Sequence, residues 1–116
     1  MNFIGIWDIK FVITSDIHMF PVYSGEMKLA QSEGNQITGN IELYDGISFY
    51  VYSELLSCGF NNRTNKIGFE TYVWLANDSI STPAFDYSGT INNANYMWGI
   101  FKSGKNKIGN WSATKQ

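Results

Sequence analysis

Residues 89–101 read Gly89-Thr90-Ile91-Asn92-Asn93-Ala94-Asn95-Tyr96-Met97-Trp98-Gly99-Ile100-Phe101, or GTINNANYMWGIF. Two apolar runs flank an Asn-rich break, with glycines near either end. β-Branched and aromatic side chains suit the pleated surface of a strand, and Asn tolerates the left-handed backbone of tight turns. The stretch therefore reads as a hairpin with residues 92–95 as its turn. On the second arm, period-two alternation sends Met97 and Phe101 to one face and Tyr96, Trp98 and Ile100 to the other. Bulky groups on both faces leave the strand no side suited to water, so one face is expected to be interior and the other covered.

The same alternation recurs outward from this hairpin. Residues 3–13 place Phe3, Gly5, Trp7, Ile9, Phe11 and Ile13 on one face, with Asp8 and Lys10 on the other. Residues 23–31 and 37–43 alternate likewise and form a hairpin across Glu33-Gly34-Asn35. Between 45 and 60 the pattern is less regular. There, residues 47–52 extend the third strand and 54–60 form the next, with a helical turn over 52–58 as the alternative. After the polar turn 61–65, residues 66–75 (KIGFETYVWL) are the clearest strand, and 85–91, 96–102 and 108–115 complete the series. The expectation is an all-β fold, an eight-stranded antiparallel up-and-down β-barrel whose closure removes exposed edges. A two-sheet sandwich is the alternative. A length of 116 residues suits one domain over 1–116.

Composition narrows the function. Aromatic residues make up 16% of the chain, more than a core of this size needs for volume, so some rings are expected to line a cavity or an interface. A net charge of −2, with no basic run interleaved with aromatics, argues against nucleic acid as a partner. Lys102, Lys105, Lys107 and Lys115 read as a solvated turn and strand edge. The single cysteine, Cys58, excludes a disulfide framework and a Cys-based metal site, and reads as a small buried hydrophobe. Residues 1–11 lack a signal-peptide pattern, and no apolar run approaches the length of a membrane span. A cytoplasmic protein without membrane insertion is expected.

Several short motifs carry a resemblance. Gly5-Ile6-Trp7, Ile37-Thr38-Gly39, Tyr87-Ser88-Gly89-Thr90-Ile91, Met97-Trp98-Gly99 and Gly109-Asn110-Trp111-Ser112-Ala113-Thr114-Lys115 resemble the small lipocalin-like and avidin-like barrels of calycin type. The resemblance implies a ligand in the barrel interior, with Trp7 closing one end. It is closest to avidins at residues 68–74 and at Met97-Trp98, where avidins carry pocket tryptophans. Where avidins place polar groups for the biotin ureido ring, this chain offers Ile9, Ile13, Ile41 and Leu43. Unmet hydrogen bonds in a buried site remove most of the affinity, so biotin is not expected to bind.

The expected function is binding of a small hydrophobic or aromatic molecule in the barrel cavity, without cofactor or metal. The expected ligand-binding residues are Trp7, Phe11, Met27, Phe69, Tyr87, Met97, Trp98, Phe101 and Trp111, with the Tyr87 hydroxyl or Thr71 as donors. Catalysis has little to build on. His18 lies near Asp16 in a loop, and alternation places Glu70 and Asp86 outward. The alternatives are a cofactor-free cyclase or isomerase that folds an apolar substrate in the same cavity, and an interaction module with a solid core. Tyr72, Trp74, Tyr96 and Trp98 are expected on the outer face, where they favour a homo-oligomer. A one-residue bulge would exchange the faces and bring Trp74 and Trp98 into the pocket, so Trp98 stands in both sets.

Overall fold

The computed structural model describes residues 3–15, 21–44, 50–74, 84–93 and 95–116. Asp16, His18, residues 47–49, Leu75 and the loop 77–83 lie outside the described residues. The strands are β1 (Gly5–Ile13), β2 (Val22–Gln31), β3 (Ile37–Tyr44), β4 (Tyr50–Glu54), β5 (Ser57–Asn61), β6 (Lys66–Tyr72), β7 (Ala84–Asn92), β8 (Tyr96–Ser103) and β9 (Asn106–Lys115). A single 3-10 turn over Glu33–Asn35 joins β2 to β3, with Gly34 at φ 74° where a side chain would be strained. No helix among the described residues is long and apolar enough to cross a membrane.

The nine strands among the described residues form one antiparallel sheet in the order β4-β3-β2-β1-β9-β8-β7-β6-β5. First and last strands pair, with Phe11 opposite Trp111, as a curled meander requires. The sheet curls into a half-barrel. It is not the closed eight-stranded barrel expected from sequence, and its edges are β4 and β5. The reason lies at Leu55-Leu56, in the middle of what reads as one strand. Leu55 N donates to Gly39 O at 2.9 Å, whereas Leu56 N donates to Glu70 O at 2.8 Å. The backbone thus changes partners between adjacent residues, so β4 pairs with β3 and β5 with β6. Edge strand β4 also reaches β6: Tyr72 N donates to Ser53 Oγ at 3.2 Å.

Alternation decides what is buried. Trp7, Ile9, Phe11 and Ile13 of β1 face the same interior as Met27 and Leu29 of β2, Ile41 and Leu43 of β3, and Ile67 and Phe69 of β6. The turn between β7 and β8 uses Asn93 at φ 55°, a left-handed position that Asn tolerates, and Asn95 N closes it onto Asn92 O. Near the start of β9 the register shifts opposite Phe101 and Lys102. That irregularity lets Ile108 and Gly109 both be buried, while the Ile108 carbonyl accepts from Thr14 N and Ser15 N at 3.0 Å.

Candidate functional site

The interior is where the ligand is expected from sequence. Trp7, Phe11, Met27, Met97 and Phe101 are fully buried, and Phe69, Tyr87 and Trp111 nearly so. These side chains pack on one another. Phe69 stacks on Tyr87 with centroids 4.5 Å apart, Tyr87 stacks on Phe101 at 5.4 Å, and Phe11 meets Phe101 edge-on at 5.4 Å.

Trp74 is the first correction. Expected on the outer face, it packs inward against Phe11 at 5.2 Å and Phe85 at 5.7 Å. β6 ends at Tyr72, so strand alternation no longer governs residue 74, and its indole turns toward a buried hydroxyl. Trp74 Nε1 donates to the Tyr87 hydroxyl oxygen at 2.8 Å, and that oxygen lies 2.8 Å from Thr71 Oγ1. Thr71 Oγ1 donates to Tyr72 O at 2.9 Å, which uses its only proton. The Tyr87 hydroxyl is therefore the donor to Thr71. Burial pushes the Tyr87 phenol well above its ordinary value, and the hydrogen bond it accepts from Trp74 offsets part of that rise. The two groups expected to fix an interior ligand are thus bonded to each other, and no buried side-chain N or O among the described residues lacks a partner.

Trp98 faces the opposite way from these rings. It is 42% exposed on the outer surface and stacks on Tyr96 with centroids 5.5 Å apart. Tyr72 is exposed too, as expected. Cys58 is half-buried, and burial pushes its thiol up to about 11.

Register assembles a second region around Trp98. Trp98 lies opposite Thr90 on β7 and Ser112 on β9. Ser112 lies opposite Lys10, and Lys10 opposite Ser24. Thr90 lies opposite Lys66, whose Nζ donates to Thr90 Oγ1 at 2.9 Å. One continuous cross-strand row therefore runs over the outer face of six strands. Its neighbouring row, Val12, Asn110, Ile100 and Ser88, is likewise in register.

Along this row the outer surface is recessed. A recess of about 780 Å³ is walled by Trp98, Tyr96 and Ile100, with Lys10 and Ser112 at one end and Lys66 at the other. Gly89 and Gly99 face each other across β7 and β8 and contribute to its floor. Beneath them lies Trp111: a Cβ on Gly89 would come within 2.6 Å of Trp111 Cζ2. The Trp111 indole N–H lies 3.3 Å from Ser88 O and 3.1 Å from Ile100 O, donating to backbone carbonyls of both strands. A second recess of about 410 Å³ shares Lys10 and Ser112 with the first and continues past Asp8 and Ser24 to Tyr44. Asp8 accepts from Gln116 Nε2 at 2.7 Å. Among the described residues no group of three or more His, Cys, Asp or Glu side chains could hold a metal ion.

Sequence reading found Trp98 but not the trough around it, because Lys10, Ser24, Lys66, Thr90 and Ser112 meet only through strand order. The available signal was the pair of interior-facing glycines, Gly89 and Gly99, on neighbouring strands. Compared with known proteins, the chain matches no family model, no curated protein and no solved structure.

Proposed function

We propose that the chain is a binding protein that holds a ring-bearing small molecule in the outer trough rather than among the interior rings. The observation that carries this reading is the 780 Å³ recess with Trp98 and Tyr96 stacked at its wall. Small-ligand sites are concave, run to roughly 300–1,000 Å³, and combine apolar surface with a few polar groups that set orientation. Trp98 supplies the flat apolar face, and Ser88, Ser112 and Asn110 supply donors and acceptors around it. The interior offers less, since a ligand there would have to displace packed rings and break the Trp74–Tyr87–Thr71 chain.

Among the described residues the one carboxylate lining the trough, Asp8, accepts from Gln116, and the chemistry proposed is recognition. Kinship with calycin-type barrels belongs to the same proposal, supported by the meander and the β1–β9 pairing. A homo-oligomer through the outer rings expected from sequence, Tyr72, Trp74, Tyr96 and Trp98, would compete for Tyr96 and Trp98, which this proposal gives to the ligand.

Tryptophan fluorescence tests this directly, because Trp98 is the one exposed tryptophan of the four. Methyl glycosides and indole-sized aromatics serve as probes. A bound probe is expected to shield Trp98 from acrylamide quenching, and Ser88→Phe, which fills the recess from outside without adding an indole, is expected to abolish the shielding. Probe binding that survives both Ser88→Phe and Trp98→Ala contradicts the proposal, as does a stable dimer in which Trp98 is already shielded.

A further inference from the structure

Resting on that reading, we infer that the ligand is an extended glycan lying across the strands, with one end on Trp98 and the other reaching Tyr44. The two recesses adjoin at Lys10 and Ser112, which line both, and together they are taken as the trough. From β8 to β3 the sheet order crosses four inter-strand steps, β8-β9-β1-β2-β3, a path of roughly 19 Å at the usual strand spacing. That is several times the width of a single ring. A pyranose unit in an extended chain advances by about one inter-strand step, so successive sugars would meet successive strands.

The lining suits a sugar chain. Between the aromatic ends, Ser112, Lys10 and Ser24 present one hydrogen-bonding side chain per strand, in register. Sugars carry hydroxyls around the rim of each ring and C–H groups on its faces. They therefore need polar partners along a path and an aromatic plane to stack on. Tyr44 is 47% exposed and Trp98 42%, so aromatic surface is accessible at each end.

Other long ligands fit less well. An extended peptide binds a sheet by pairing with a free edge, but β1, β2, β8 and β9 are paired on both sides. A nucleic acid strand would bring phosphates past Asp8 on a chain of net charge −2. A second copy of the chain would bury the serines and Lys10 in a dry contact, stripping them of water without assured partners.

The test is calorimetric titration with β-1,4-linked gluco- and manno-oligosaccharides of one to six units. Affinity is expected to rise with chain length until the trough is spanned. Trp98→Ala is expected to abolish binding at every length. Tyr44→Ala is expected to weaken the longest oligomers about fivefold and leave disaccharides unchanged. Both residues are exposed, so circular dichroism is expected to match the parent for each variant. Shielding of Trp98 by a small aromatic probe but by no oligosaccharide overturns the glycan assignment and leaves the trough as a ligand site. Failure of every ring-bearing probe to shield Trp98 overturns both. An affinity independent of chain length and of Tyr44 overturns the extended path.

Discussion

Trp98 and Trp111 lie directly opposite each other's neighbours on adjacent strands, with Ser112 facing Trp98 and Gly99 facing Trp111, yet they live in different solvents. Trp111 is 2% exposed, packed edge-on against Phe69 and bonded through its indole N–H to backbone carbonyls. Trp98 is 42% exposed, and its N–H has no hydrogen bond among the described residues. Strand parity makes the difference, because a one-residue offset flips a side chain across the sheet. Aromatic richness therefore has two separate meanings in this molecule. Inside, rings pack on one another; outside, Trp98 and Tyr96 stack on each other and stay exposed.

That contrast can be broken from the inside first. Phe11→Ala removes a fully buried ring that touches Trp74, Tyr87 and Phe101. The expected loss is about 3–5 kcal/mol in denaturant unfolding, and a loss under ~1 kcal/mol would mean the interior is looser than described. Gly99→Ala is expected to come next, at about 2–3 kcal/mol, because the new Cβ would press on Gly89 Cα and the Ser88 carbonyl. Both neighbours are backbone and cannot swing aside.

Tyr87→Phe keeps the ring stack and removes the hydroxyl between Trp74 and Thr71. A destabilisation of about 1–2 kcal/mol is expected at neutral pH from the loss of the hydroxyl's hydrogen bonds to Trp74 Nε1 and Thr71 Oγ1. The pH dependence has a definite sign. The folded Tyr87 phenol lies above the unfolded value of roughly 10. Its neutral form is therefore favoured by folding, and the associated stability is present below that pH and lost as pH rises through it. Unfolding free energy measured above pH ~10 is expected to fall less steeply in Tyr87→Phe than in the parent. Equal slopes would mean the phenol is not buried. Smallest of all, Trp98→Ala is expected to change stability by less than about 0.5 kcal/mol while removing ligand binding.

These expectations also show what was legible in the chain. The interior faces of β1, β2, β3 and β6 follow from simple alternation, and Phe11, Met27, Ile41 and Phe69 stand where that rule puts them. The hairpin at residues 92–95 was readable from its asparagines. The split at Leu55-Leu56 was not, because two adjacent leucines give no local sign that their amides bond to different strands. Trp74 misled for a related reason: alternation is a property of paired strand, and pairing stops two residues earlier. The trough was the least legible feature. Its row draws on residues from 10 to 112, and only the order β2-β1-β9-β8-β7-β6 makes them neighbours.

The most direct test of an outer site over an interior of packed rings is a ¹H–¹⁵N spectrum of the four indole N–H groups during titration with a β-1,4-linked glucohexaose. Trp7, Trp74 and Trp111 hold internal hydrogen bonds, to Phe3 O, the Tyr87 hydroxyl, and the Ser88 and Ile100 carbonyls. The expected result is a large shift of the Trp98 resonance, a smaller one at Trp111 beneath the trough floor, and none at Trp7 or Trp74. Shifts concentrated at Trp7 and Trp74, with Trp98 unmoved, would place the ligand in the interior and contradict the account.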